Sequence, residues 1–258
     1  MERDSSKAEI NSVRWLKLLV GLAVIFALFH WTANALGSDR GQFGVLVGQL
    51  VVVAIIFAEK ILFGKSFKES VKFIGLTRPN KIGLLTVLVI CLLMLLAVFI
   101  FALATNSTFS FYPDWYWLVP GLFFQAGIAE ETLFRGYLFG HIRQKYTFWK
   151  AATLAAFPFI FVHLILFYTM PFPIAAASII LSIITSFPFA YLFELDGKTI
   201  WSPAILHFVV QGTLKVLVAT DESAWLFPFF WMTVCALIPL TAFAVPYLLK
   251  AKIHHPKI

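Results

Sequence analysis

Long apolar runs, separated by short polar stretches, recur along the whole of this chain. They show neither the one-sided stripe of a surface helix nor the alternation of a half-buried strand, and they predict helices that are apolar nearly all round. Eight such spans are expected, over roughly 15–36, 43–63, 83–104, 116–139, 149–168, 173–193, 200–218 and 225–248. At about 1.5 Å per residue, each is long enough to cross a hydrocarbon layer of about 30 Å. The fourth has the composition to run on into water as far as Lys145. The expected architecture is all-α: a polytopic membrane protein of about eight transmembrane helices enclosing an intramembrane polar site, with residues 1–258 forming a single membrane-embedded domain.

Composition agrees with this pattern. The chain is 60% hydrophobic and 13% charged, with a mean hydropathy of +0.88, and a soluble domain would carry about twice that charge. The net charge of +7 is distributed by loop. Arg3, Lys7, Arg14 and Lys17 precede or open the first span; Lys65, Lys68, Lys72, Arg78 and Lys81 fill the second loop. Arg143, Lys145 and Lys150 fill the fourth, Lys198 lies in the sixth, and Lys250, Lys252 and Lys257 lie in the tail. The other loops hold only Arg40 and Lys215. That alternation puts both termini in the cytoplasm. It reads the positive charge as a topology signal, not as a nucleic-acid-binding surface. Trp15–Leu36 is too long for the apolar region of a secretory signal and has no convincing cleavage site, so no cleaved leader is expected. A short chain with no organelle signal points to a bacterial plasma membrane. Cys91 and Cys235 lie within spans without metal-binding spacing and read as small packing residues. The longest connection, around 64–82, is expected to lie on the inner membrane surface.

Candidate chemistry sits inside the apolar runs. Glu130 and Glu131 are adjacent in FFQAGIAEETLFRGYLFG, with Arg135 in the same stretch. Charges at membrane depth cost several kcal/mol and mark functional sites by default. Glu131 and Arg135, spaced i, i+4, share a helix face and neutralise each other. Glu130, rotated about 100° away by the helical period, is left free to act on a water. The bland reading is that both acids are solvated at a helix end. His163 follows Pro158, which frees a carbonyl and makes room for a kink; a lone histidine there otherwise reads as one hydrogen-bonded to a neighbouring helix. His207 and Gln211 are one turn apart, with Ser202 as the expected N-cap and Pro203 at the first helical position. An extended Lys198–Trp201 would carry His207 to the depth of Glu130 and His163. A carboxylate with two histidines suits hydrolysis: the acid takes a proton from water, the histidines bind a metal or polarise a carbonyl, and a side-chain amide donates to the oxyanion. No serine or cysteine is set beside a histidine, and HExxH is absent.

These motifs resemble the CPBP family, which takes in type II CAAX prenyl endopeptidases and the bacteriocin-processing or self-immunity membrane proteins of the Abi group. The family's EExxxR reads EETLFR from Glu130 to Arg135, its FxxxH reads FIFVH from Phe159 to His163, and its HxxxN reads HFVVQ from His207 to Gln211. The resemblance covers residues 110–218, the CPBP-like catalytic core. It implies a glutamate-dependent intramembrane protease in which Glu130 is the general base, His163 and His207 contact water or substrate, and Glu131 with Arg135 braces the site. Gln211 departs from the family's Asn by one methylene. The family is named for metalloproteases, and two histidines with a carboxylate can hold a divalent metal such as zinc with one position open; a metal-free reading stands beside it. The implied partners are a peptide or membrane-protein substrate and the lipid bilayer. Two other readings compete: a non-catalytic CPBP-like protein acting in immunity or regulation by binding a peptide or partner, and an ion-coupled transporter, which predicts inverted repeats that the chain lacks.

Overall fold

The computed structural model describes residues 2–37, 41–220 and 224–248, with side chains described from residue 12 onward except at 169. Arg40 and the tail lysines 250, 252 and 257 lie outside that range. The elements are α1 (Glu2–Ala35), α2 (Gly44–Phe63), α3 (Phe67–Phe73), α4 (Lys81–Thr105), β1 (Phe109–Phe111) and α5 (Trp115–Leu122). Two π-helical stretches, Phe123–Glu130 and Thr132–Phe139, continue α5 into α6 (Gly140–Arg143). There follow α7 (Phe148–His163), α8 (Leu166–Thr169), α9 (Phe172–Leu195), α10 (Trp201–Val216), β2 (Leu217–Ala219), α11 (Leu226–Leu237), a 3₁₀ segment (Ile238–Phe243) and α12 (Val245–Leu248).

The polytopic all-α expectation holds, but the count of eight spans is not reached. Six helical segments among the described residues are long and apolar enough to cross a membrane: Ser12–Ala35, Gly44–Phe63, Lys81–Thr105, Phe148–Tyr168, Phe172–Leu195 and Leu226–Phe243. The fourth and seventh expected spans are helical and fall short for physical reasons. The run 115–143 carries Glu130, Glu131 and Arg135 and is wound partly as π-helix. Helix α10 has only 16 residues. Both are inner helices: Ala126–Ala129, Leu133–Phe139 and Ser202–Ala204 are buried, whereas large apolar residues of α2 and α4 such as Ile61, Leu92 and Phe99 face outward.

Local chemistry sets several boundaries. Helix α2 stops at Gly64, which takes the left-handed conformation (φ 68°). Ser66 and Glu69 form a reciprocal capping box that starts α3 within the long 64–82 connection. The Asn80 side chain accepts from Ile82 N (2.9 Å) to start α4. Small residues let the inner helices approach. A Cβ at Gly48 would lie 2.6 Å from the Phe124 carbonyl oxygen, and one at Gly127 2.8 Å from that of Ala204. Backbone contact of this kind replaces the hydrophobic drive that lipid removes. Gly136 serves the same intrachain purpose: a Cβ there would collide with the Ile74 carbonyl oxygen. A short antiparallel ribbon, with Ser110 opposite Val218, ties the start of the 115–143 run to the end of α10. Three-residue strands are too short for alternation to reveal them in sequence.

Candidate active site

Glu130 ends the first π stretch and Glu131 sits between the two. The i→i+5 winding departs from the 3.6-residue period on which the expected rotation of Glu130 was based. The two acids nevertheless point into different surroundings. Glu131 has no exposed side-chain surface, whereas Glu130 keeps 15% of its own.

Glu131 is the fixed carboxylate. Its Oε1 accepts from Arg135 Nη1 at 2.8 Å and from His207 Nδ1 at 2.6 Å. Its Oε2 is buried without a hydrogen bond among the described residues. The Arg135 guanidinium lies between two aromatic faces, 4.7 Å from the Phe159 ring and 4.9 Å from that of Phe189. Rings and carboxylate together hold a cation that would otherwise be stranded in low dielectric.

Glu130 faces the other side of the same imidazole. Its Oε2 lies 3.7 Å from His207 Nε2, too long for a direct hydrogen bond. With Nδ1 engaged by Glu131, Nε2 is the ring nitrogen turned toward Glu130. His163 closes α7. Its Nδ1 donates to the Phe159 carbonyl (2.7 Å), its ring packs on that of Phe159 (4.6 Å), and Nε2 is left as the acceptor. The Phe159 ring also lies 6.5 Å from the His207 ring and 4.7 Å from the Arg135 guanidinium, which sets His163 beside them. Glu130, Glu131, Arg135, His163 and His207 are therefore gathered in one place. Gln211 follows His207 by one turn of α10 and is half-buried, and no hydrogen bond joins it to these groups among the described residues.

Two local expectations are corrected. Ser202 does not cap α10 with its hydroxyl, and Pro203 is not its first residue; the helix starts at Trp201, and Ser202 Oγ is buried without a hydrogen bond. Asp196 does the capping instead. Its buried carboxylate accepts from Ser202 N (3.1 Å), Thr199 Oγ1 (2.5 Å) and Asn80 N (2.9 Å). The connection into α10 is a turn, not an extended strand, with Gly197 and Lys198 both at positive φ (77° and 64°). His207 reaches the other residues because this turn is itself sunk into the bundle: Thr199 and Ile200 are buried.

Sequence reasoning missed Asp196, Phe189 and the Glu131–His207 bond. Asp196 reads as an ordinary loop acid in ELDGK. Phe189 and His207 are long-range partners that no local spacing announces. A second buried group was also missed: Glu59, wholly buried, accepts from Lys65 Nζ (2.7 Å) and pairs with His141 Nε2 (2.9 Å). As metal ligands the available donors would be Glu130 and the Nε2 atoms of His163 and His207. Among the described residues, however, no three His, Cys, Asp or Glu side chains are gathered closely enough to hold an ion.

Fold and cluster together define a polytopic helical membrane protein with a carboxylate–histidine site within its bundle. Residues 112–213, 102 of the 258, match the model of the type II CAAX prenyl endopeptidase Rce1-like family, a family of intramembrane CAAX proteases. The resemblance carried by the three motifs thus holds over that stretch, which contains all six candidate residues. No curated protein and no solved structure was found to match the chain.

Proposed function

We propose that this protein is an intramembrane endopeptidase that hydrolyses a peptide bond of a membrane-associated peptide or protein, using a water activated by Glu130. The observation that carries the reading is the placement of Glu130 Oε2 3.7 Å from His207 Nε2, on an imidazole whose other nitrogen is held by Glu131. A water set against both acceptors gives its two hydrogens to them and turns a lone pair outward. Glu130 takes the proton as the oxygen attacks the carbonyl carbon, then passes it to the leaving amine nitrogen as the C–N bond breaks. Glu131 and Arg135 fix the imidazole and its tautomer, which is positional work of the kind that holds reacting groups in register. His163 Nε2 meets the water or the substrate. The Gln211 amide donates to the oxyanion, a role that requires its side chain to turn toward the site.

The family match supports peptidase chemistry in a membrane setting. The reading requires no step through a metal. Purified protein is incubated with a library of quenched peptides, with and without chelator. Cleavage that survives chelation is expected; cleavage that is lost with chelator and restored by zinc replaces the metal-free mechanism, and no cleavage of any peptide favours the non-catalytic binding reading, to which the Gln211 departure also points.

A further inference from the structure

The ends of several helices meet on one face of the molecule and line an open cavity of about 480 Å³. The meeting is fixed by bonds between connections. Asn80 N donates to the Asp196 carbonyl (3.2 Å), Ile200 N donates to that of Gly75 (3.1 Å), and Arg143 pairs with Glu194. Lys65 and Lys72 of the second loop, Arg143 at the start of the fourth and Lys198 of the sixth all line the cavity. The volume lies within the range of small-molecule sites, about 300–1,000 Å³.

The charged lining is unbalanced. Lys65, Lys72, Arg143 and Lys198 face Glu69 and Glu194. Both carboxylates are engaged: Glu69 accepts from Ser66 N (2.8 Å) and Ser66 Oγ (2.7 Å), and Glu194 is held by Arg143. Lys65 is bound to Glu59 and lies over the Phe73 ring. Lys72 and Lys198 are exposed and have no acidic partner among the described residues; with Lys65 paired to Glu59, Arg143 paired to Glu194 and Glu69 keeping its own negative charge, the cavity retains a net excess of one positive charge at the end of the membrane-spanning helices. Phe73 and Phe193 add apolar wall.

We propose that this cavity binds the phosphodiester headgroup of an anionic membrane lipid, with Lys72 and Lys198 supplying the counter-charge and the phenylalanines receiving the first segments of the acyl chains. A basic pocket between helix ends at the membrane surface is the arrangement that recognises such headgroups. The inference is independent of the peptidase reading, since none of its residues belongs to the Glu130 site.

The test is native mass spectrometry of the purified full chain offered equal amounts of phosphatidylglycerol and phosphatidylcholine. Preferential retention of phosphatidylglycerol is expected, falling about fivefold in Lys72→Ala and again in Lys198→Asn, each removing one surface cation. Asparagine is chosen at 198 because it tolerates the left-handed backbone there (φ 64°). Lys68→Ala, an exposed lysine of α3 outside the cavity lining, should leave the preference unchanged. Equal retention of the two lipids overturns the proposal. So does a Lys68→Ala loss as large as that of Lys72→Ala, which would indicate general surface attraction. Displacement of the lipid by an equal concentration of inorganic phosphate would assign the cavity to a soluble anion instead.

Discussion

Glu131 Oε1 is shared between Arg135 Nη1, four residues on in the same helical run, and His207 Nδ1, on another helix. One buried oxygen thus neutralises the arginine and orients the imidazole that faces Glu130. Glu131→Ala leaves both partners without an acceptor. Breaking a buried pair in this way costs roughly 3–5 kcal/mol. A large fall in melting temperature or in folded yield is expected, measured by thermal unfolding of the detergent-purified variant. A fully stable Glu131→Ala protein would show that the carboxylate is not the brace.

Gln211 distinguishes an oxyanion donor from a packing residue. If its amide serves the site, Gln211→Asn should retain or raise activity, and Gln211→Leu should lower turnover by about 10²–10³-fold, as loss of one oxyanion donor does, with peptide binding little changed. A structural amide would instead cost about 1 kcal/mol of stability in the leucine variant and leave turnover per folded molecule intact. Turnover and melting temperature measured on both variants separate the two.

Asp196 gives a pH signature outside the spans. Burial raises its carboxyl above the ordinary value of 3.8, against the opposing hydrogen bonds from Thr199, Ser202 and Asn80. Between 3.8 and that raised value the folded protein holds more protons at this residue than the unfolded chain. The stability contribution of Asp196 therefore falls as pH rises through this window. Melting curves recorded across acidic pH should show this slope in the wild type and lose it in Asp196→Asn. The same slope in both proteins would assign it to another group.

Much of the site was legible because polar residues inside apolar runs are costly. Glu130, Glu131, Arg135, His163 and His207 stand out for that reason, and the Glu131–Arg135 pair follows from i, i+4 spacing. The bond from Glu131 to His207 joins residues 76 positions apart and leaves no local trace. The π winding around Glu131 was hidden for a related reason: periodicity arguments assume 3.6 residues per turn. That only six of the eight expected spans are long and apolar enough to count has the same origin as the candidate site. The polar candidate residues of the 115–143 run also lower its hydropathy, and α10 is shortened by the turn capped by Asp196 and by the ribbon that follows.

The Lys and Arg alternation predicts that both termini face the cytoplasm. Reporter fusions at Ser6 and His255 should both read as cytoplasmic. With six apolar spans and two inner helical segments, an external reading at either end would mean that one inner segment does not cross the membrane.

The central claim is that Glu130 is the base of a peptidase site. The most direct measurement is turnover of a cleavable peptide by wild type and Glu130→Gln at matched folded concentration, with melting temperature recorded for both. The account predicts a loss of at least about 10²-fold in turnover, the lower range for general-base catalysis, with melting temperature nearly unchanged because the amide keeps the shape of the side chain. Wild-type turnover in a folded Glu130→Gln protein would contradict it.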